Sequence, residues 1–133
     1  MKKAIFLISL FFLSSCEQYP FLPDKYSETI LGNWQWGWTG CWGGGYYLWA
    51  DTAGYTRNII FDHQGRYYSY QNDSLTMSSK YHLDYSESHH DYRIYKLTIE
   101  TTNEEFRALI IADTLSLMEY NIRDGCEIFY IKQ

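Results

Sequence analysis

Residues whose side chains bind metals gather in one short stretch of the chain. His89, His90 and Asp91 are consecutive, and His82 and Glu87 come shortly before them. Imidazole nitrogens and carboxylate oxygens are common ligands of zinc. Neighbouring side chains on a strand point to opposite faces, however, so His89 and His90 reach one ion only from a turn. A polar hairpin tip is the favoured interpretation, and we predict neither a metal site nor a cofactor.

Hydrolytic chemistry finds no support in the sequence. No nucleophile is paired with a general base at a recognisable spacing. Glu104 and Glu105 are adjacent carboxylates that a solvated rim explains without chemistry. The triplet Asn72-Asp73-Ser74 fits a glycan acceptor pattern, but we interpret it as a turn. We therefore expect a protein that binds rather than an enzyme.

The first 15 residues are predicted to be an export signal. Lys2 and Lys3 precede a run of apolar residues and serine over residues 4–13. This run is too short to span a bilayer, which takes about 20 residues. The closing Leu13-Ser14-Ser15-Cys16 resembles the lipobox of bacterial lipoprotein signal peptides. The resemblance implies cleavage before Cys16 and a diacylglyceryl group on its sulfur; the alternative is an ordinary secretory signal with an incidental cysteine.

The predicted organisation is a cleaved signal peptide (residues 1–15), a lipidated cysteine with its tether (residues 16–30) and one folded domain (residues 31–133). Without the signal, 9 basic side chains remain against 16 acidic ones, a formal charge of −7. Such a charge argues against nucleic acid and against electrostatic binding to anionic lipid. We expect a monomer that its lipid holds in the cell envelope, with the outer membrane as the favoured location.

The composition favours β-structure. Aromatic residues make up 20% of the chain, including 14 tyrosines, and such rings suit a pleated, half-buried surface. Eight runs between short turn signals are predicted to be strands: residues 33–39, 56–62, 66–71, 75–85 with a bend near Lys80, 92–101, 105–112, 114–120 and 126–132. Links of hairpin length imply an antiparallel meander. We predict an all-β fold, a single small up-and-down antiparallel barrel of about eight strands, because closure removes the edges that a sandwich leaves exposed.

Alternation within the runs predicts which side chains are buried. Trp34, Trp36 and Trp38 recur with a period of two, which places three indoles on one buried face. In the predicted strand 105–112, Leu109 and Ile111 form a second apolar set on the face opposite to Ala108 and Ile110. That strand is therefore either buried on both faces or covered by the tether. The other inward sets are Ile59 and Phe61, Leu97 and Ile99, Phe106, Ala108 and Ile110, and Leu115 and Leu117; Arg57, Lys96, Arg107 and Glu119 are expected outside or on rims.

Two cysteines remain once Cys16 carries a lipid. Cys41 follows the first predicted strand and Cys126 begins the last. In a closed barrel with an even number of strands these two strands are antiparallel neighbours, so the end of one lies beside the start of the other. Export favours disulfides. We predict a Cys41–Cys126 bridge, with two buried thiols as the alternative.

A second resemblance concerns the start of the domain. Gly32-Asn33-Trp34 resembles the G-x-W that opens the first strand of lipocalins, and Gly54-Tyr55-Thr56-Arg57 leads into a second strand. Over residues 30–133 the chain is similar to small lipocalin-like lipoproteins of Bacteroidetes-type bacteria. The resemblance implies a barrel with an apolar ligand, in which Gly32 and Trp34 close the narrow end. It also implies a basic side chain over that indole, for which Arg123 and Lys132 are candidates.

Residues 40–54 are too rich in glycine for a good strand and too aromatic for a linker, so we predict a long loop that is either functional or packed on itself. It either plugs one barrel end, through Trp42, Tyr46, Tyr47, Leu48 and Trp49, or lines the mouth of a ligand site. The predicted ligand residues are Trp36, Trp38, Trp42, Tyr46, Tyr47, Trp49, Tyr68 and Tyr70. We expect a membrane-anchored lipocalin-like protein that binds a small apolar ligand. The alternative is an envelope interaction module with a packed barrel, whose loop docks a protein or glycan or acts as an inhibitor.

Overall fold

The computed structural model describes residues 30–88, 90, 92–120 and 125–133. The predicted signal peptide, Cys16 and most of the tether lie outside the described residues, as do His89, Asp91 and Arg123. The described chain forms nine strands: β1 (Gly32–Cys41), β2 (Tyr46–Trp49), β3 (Arg57–Phe61), β4 (Arg66–Gln71), β5 (Ser74–Ser88), β6 (Arg93–Ile99), β7 (Glu104–Ile111), β8 (Thr114–Glu119) and β9 (Cys126–Lys132). Eight of them are the predicted strands, and β2 lies within the segment predicted to be a loop.

The strands close into an eight-stranded antiparallel barrel. Each strand from β3 to β9 pairs with the next along the chain, and β1 pairs with both β3 and β9. The extra strand, β2, pairs with the last residues of β1 where β3 no longer accompanies it. The predicted fold class is confirmed. Below, the base is the barrel end where β1 begins, and the mouth is the end where β1 finishes.

The turn predicted at Asn72 and Asp73 is present. Asn72 and Asp73, between β4 and β5, both have positive φ, 49° and 62°. This conformation is that of a two-residue hairpin turn whose twist matches the flanking strands. At the bend predicted near Lys80, β5 continues without interruption but changes its partner, from β4 at Lys80 to β6 at Tyr81. The register irregularities of β5 lie opposite Ser69 and near Tyr85.

The core lies inside the barrel. Trp34 and Trp36 from β1 are buried there, and the predicted inward side chains of β3, β6 and β8 are buried as well. On β7, Ala108 and Ile110 are buried while Ile111 is 46% exposed. The alternation therefore selects one face of β7 for the core and places the competing set, Leu109 and Ile111, on the outside.

Trp38 does not join this core, so the prediction of three indoles on one face is wrong. Trp36 lies opposite Tyr130 of β9, and Trp38 lies opposite Phe129, the adjacent residue. The single additional residue on β1, Gly37, forms a β-bulge that reverses the alternation of the strand. Trp38 consequently points to the outer surface of the barrel.

Tyr68 and Tyr70 also face outwards, contrary to the prediction. Buried Phe61 pairs across the strands with Tyr67, and facing residues of an antiparallel pair share a face. Tyr67 therefore turns inward, and its ring centroid lies 5.3 Å from that of Phe61. Tyr68 and Tyr70, one and three positions further on, lie on the opposite face.

Candidate functional site

The segment predicted as a loop is instead a β-hairpin at the barrel mouth. The last residues of β1 and all of β2 form it, with Trp38 opposite Trp49 and Cys41 opposite Tyr46. After β2, the amide of Ala50 donates to the carbonyl of Gly37 over 2.9 Å, which holds the end of the hairpin against the bulge. We call residues 38–49 the aromatic hairpin and residues 50–56, which connect it to β3, the lid segment.

The lid segment covers the barrel mouth with small side chains and one tyrosine. Ala50, Ala53 and Tyr55 are partly buried and pack against the core, as does Leu48 of the hairpin. The ring of Tyr55 stacks on Trp36 with centroids 5.3 Å apart and planes 10° apart. Trp36 retains 2% of its exposure. Small side chains and Tyr55 of the lid segment, rather than the tryptophans of the hairpin, close the mouth.

Three further contacts stabilise this arrangement. The guanidinium carbon of Arg57 lies 5.7 Å from the centroid of the Trp36 ring, so Arg57 occupies the inner side of the mouth. At the end of the lid segment, the Thr56 amide donates to Oδ1 of Asn72 over 2.9 Å, and the Asn72 amide donates back to the Thr56 carbonyl over 3.0 Å. The lid segment is thereby tied to the turn between β4 and β5.

The large rings of the hairpin stack on the outside of the barrel. Trp38 lies parallel to Phe129 with centroids 3.7 Å apart, and its other neighbours are Trp49 at 5.6 Å and Tyr47 at 6.1 Å. We call these four rings the aromatic face. Gly40 makes the stack possible, because a Cβ at that position would lie 2.8 Å from the Trp38 ring.

The tip of the hairpin carries the most exposed rings. Trp42 and Tyr46 flank three consecutive glycines, and Gly45 has a φ of +61°. Trp42, Tyr46, Tyr47 and Trp49 are each between 51% and 59% exposed. Residues 38–49 contain no charged side chain, although 20% of the chain is charged. An uncharged, aromatic element therefore projects at the mouth.

A buried polar pair lies beside the aromatic face. Glu127 is opposite Gly40 in the register, and Ser116 is opposite Phe129. Ser116 Oγ donates a hydrogen bond to Glu127 Oε1, and both residues are buried. This hydrogen bond reduces the cost of burying a carboxylate.

The predicted Cys41–Cys126 disulfide is confirmed. The two residues are opposite each other on β1 and β9, and the bond joins positions 85 residues apart in the sequence. It lies where the aromatic hairpin leaves the barrel wall. The cross-link therefore fixes the foot of the hairpin to β9.

At the base, three of the predicted barrel-closing residues come together. Trp34 is fully buried, and its Nε1 donates to the carbonyl of Ile30 over 2.7 Å. The Lys132 ammonium lies 5.1 Å from the centroid of the Trp34 ring, a distance suited to cation–π attraction. Gly32 has a φ of +119° and its Cβ position would lie 3.4 Å from the Lys132 side chain. The other basic candidate, Arg123, lies outside the described residues.

The eight predicted ligand residues do not line one pocket. Trp36 is inside the barrel, the five hairpin residues lie on the outer surface or the tip, and Tyr68 and Tyr70 are on the outer face of β4. Sequence reasoning missed Phe129 and Tyr55. Counting back along both strands from the predicted disulfide pairs Phe129 with Trp38 and would have found it.

Two tyrosines buried inside the barrel have a raised pKa. Burial raises the pKa of Tyr130 to about 12. Burial, followed by the nearby Asp62 carboxylate, raises the pKa of Tyr81 to about 12. Both phenols are held in the neutral form that an apolar interior requires.

Metal-binding side chains are dispersed in the described part of the chain, where no group of three histidine, cysteine or carboxylate side chains is placed to hold an ion. His82 lies on β5 and contacts Glu100 at 2.5 Å on the surface. His89 and Asp91 of the predicted cluster fall outside that part. Nor do the described residues include a helix with the length and apolarity of a membrane span.

Comparison with protein-family models, curated proteins and solved structures found no match to this chain. Its function must therefore be argued from its own sequence and geometry.

Proposed function

We propose that this protein is a membrane-anchored binding protein of the cell envelope that docks through its aromatic hairpin, with the barrel as a packed scaffold. One observation carries the proposal: small side chains and Tyr55 of the lid segment close the mouth, while the large rings of the hairpin lie outside the barrel, on its outer surface or at the tip. A hairpin that served only as a plug would place its tryptophans inside, where their burial stabilises the fold most.

The exposed surface has the size of a binding site. A tryptophan or tyrosine buries about 150–250 Å² when fully covered. Trp42, Tyr46, Tyr47 and Trp49 are about half exposed, so together, over the two faces and the tip of the hairpin, they leave on the order of 400 Å² in water. Apolar patches of about 300–600 Å² are the largest on typical monomers and are often functional. The partner would gain its affinity by covering these rings.

The anchor and the family relationship belong to the proposal. The lipobox-like Leu13-Ser14-Ser15-Cys16 supports lipidation at Cys16. The buried Trp34 beneath the Lys132 ammonium, next to Gly32, supports a lipocalin-like barrel. Cys16→Ala should therefore abolish acylation, as measured by mass spectrometry of the mature protein. Wild-type protein without lipid on this residue would refute the anchor.

The docking role is tested with a soluble chain beginning at Gln18. Binding to washed envelope fragments of the host is measured by co-sedimentation for the wild type and for Trp42→Ser/Trp49→Ser. The matched control, Tyr68→Ser/Tyr70→Ser, removes two rings from the outer face of β4. We expect the hairpin variant to lose binding while the control keeps it, with both retaining a cooperative thermal transition. Equal binding by both variants would refute docking through the hairpin.

A second candidate function is binding of a small apolar ligand beneath the lid segment. It is favoured by the Tyr55–Trp36 stack, because displacement of one residue in an irregular segment would uncover an indole at the mouth. Fatty acids, haem and bile-like compounds that bind there should raise the melting temperature by mass action. Tyr55→Ala should change that shift if the ligand occupies the mouth. No shift with any of these compounds would count against this function.

A further inference from the structure

We infer that the partner of the aromatic hairpin is the interfacial layer of a lipid bilayer, into which Trp42, Tyr46 and the neighbouring rings insert. The inference rests on the proposed docking role of the hairpin and adds the chemistry of its partner. The lipid on Cys16 would attach the chain to the membrane, and the hairpin would hold the folded domain against it.

The residue types of the hairpin match the membrane interface. Tryptophan and tyrosine combine an apolar ring with a polar N–H or O–H, and they concentrate where hydrocarbon meets the headgroups. The aliphatic residue of β2, Leu48, instead turns towards the barrel core. Residues 38–49 also lack charges, so no side chain of the hairpin must lose a charge or its hydration on insertion.

The backbone of the hairpin tolerates shallow insertion. Its two strands pair with each other from Trp38 opposite Trp49 to Cys41 opposite Tyr46. The amides and carbonyls that face the partner strand within the hairpin are therefore already hydrogen-bonded. Unpaired groups are costly only in the hydrocarbon core. At the tip, Cβ positions on Gly44 and Gly45 would meet no atom within 4 Å, so the turn projects into open space. The tip can reach the headgroup layer without moving the barrel.

Charges near the mouth limit how far the domain sinks. The other turns at this end carry Asp73, Glu100 and Glu104, all exposed, and Asp51 follows the hairpin. Carboxylates stay in water, so insertion stops at the hairpin. The mature chain has a formal charge of −7, from 9 basic and 16 acidic side chains, and is repelled by anionic headgroups. The structure thus favours an uncharged or zwitterionic surface.

The predicted tether is long enough for both attachments to reach one membrane. Ile30 lies at the base, the end opposite the hairpin, 14 positions after Cys16 in the sequence. Fully extended, 14 residues span about 46–50 Å. The 10 residues of β1 are about 33 Å long. The lipid can therefore reach the plane of the hairpin tip along the side of the barrel.

The test uses the soluble chain beginning at Gln18 and vesicles of pure phosphatidylcholine. Binding is measured by flotation, and brominated lipids report depth through quenching of tryptophan fluorescence. We expect Trp42→Ser and Tyr46→Ser each to weaken partitioning, about tenfold for Trp42. The matched control Tyr68→Ser/Tyr70→Ser should bind as the wild type does. Raising the salt concentration should change binding little, and adding phosphatidylglycerol should weaken it.

Absence of binding to phosphatidylcholine, or equal binding by the Trp42→Ser protein, would overturn the inference. So would binding that needs anionic lipid and disappears at high salt, because that behaviour is electrostatic. The docking role is tested independently, by binding to envelope fragments. If the hairpin variant loses binding to envelope fragments while vesicles bind neither protein, the partner is a protein or a glycan and only the lipid inference falls.

Discussion

Breaking the disulfide at the foot of the hairpin should destabilise the barrel without opening it. The bond closes a loop of 85 residues. In the chain-entropy model such a loop lowers the entropy of the unfolded chain enough to stabilise the fold by about 4.6 kcal/mol. The other register pairs between β1 and β9 remain available, so Cys41→Ala/Cys126→Ala should still form a closed barrel. We expect a loss of about 3–4 kcal/mol, since residual structure in the unfolded chain reduces the ideal figure.

The measurement is urea unfolding followed by tryptophan fluorescence. The variant should show a lower midpoint and a slightly larger m-value, because an unfolded chain without the cross-link exposes more surface. Its melting temperature should fall by about 15–30 °C for a domain of this size. Wild-type protein reduced with a thiol should match it. A loss below about 1 kcal/mol in both would refute the entropic argument, and a loss in the alanine variant alone would assign the effect to packing.

Two further predictions concern the aromatic face and the core. Gly40→Ala should displace the Trp38 ring, lower the free energy of unfolding by about 1–3 kcal/mol and weaken the near-ultraviolet circular dichroism of the stacked rings. The control is Gly37→Ala, whose Cβ would meet its neighbours at 3.6 Å and which should have neither effect. Equal effects of the two substitutions would refute the packing argument. Because burial raises the pKa of Tyr130 to about 12, the unfolded chain releases this proton first and stability falls as the pH rises from about 10 to 12. Tyr130→Phe should flatten that decline, with the part due to Tyr81 remaining; an unchanged slope in urea midpoints would contradict it.

The strands could be predicted because most of them bury one face only. Side chains such as Ile59 and Phe61, or Leu115 and Leu117, alternate with polar ones, and this pattern determines both the strand and its orientation. The order of strands followed from the short links. The Cys41–Cys126 pairing then followed from closure of the barrel, since it requires only that the first and last strands be neighbours.

The errors occur where alternation carries no information. Trp34, Trp36 and Trp38 alternate perfectly, yet the bulge at Gly37 adds one residue and sends Trp38 outside. A period of two in the sequence cannot reveal the extra residue of β1, because that residue is defined only by the pairing of β1 with β9. On β4, tyrosines occur on both faces, so the sequence alone does not orient the strand, and pairing with Phe61 selects Tyr67 for the core.

The position of the aromatic hairpin was predicted in part. Two of the roles predicted for residues 40–54, a plug and the lining of a ligand site, place the aromatic rings over or inside the mouth. The third, a docking loop on a packed barrel, leaves them exposed, as Trp42, Tyr46, Tyr47 and Trp49 are. The outward direction of Tyr47 and Trp49 depends on their pairing with β1, and the four residues of β2 carry no strand signal of their own. Short glycine-flanked strands depend on a partner strand rather than on their own propensity.

The pairing of β1 with β9 has a consequence for the order in which the protein can fold. A growing chain presents its N-terminal part first, so β1 is complete at Cys41, 85 positions before β9 begins at Cys126. Until Lys132 has emerged, Trp34 lacks the cation above its ring and one edge of β1 has no partner. Hairpins between later neighbours can form on microsecond timescales, whereas this contact waits for the whole domain. Loss of the last few residues should therefore leave a sheet that has most of its strands but an open edge, and open edges aggregate.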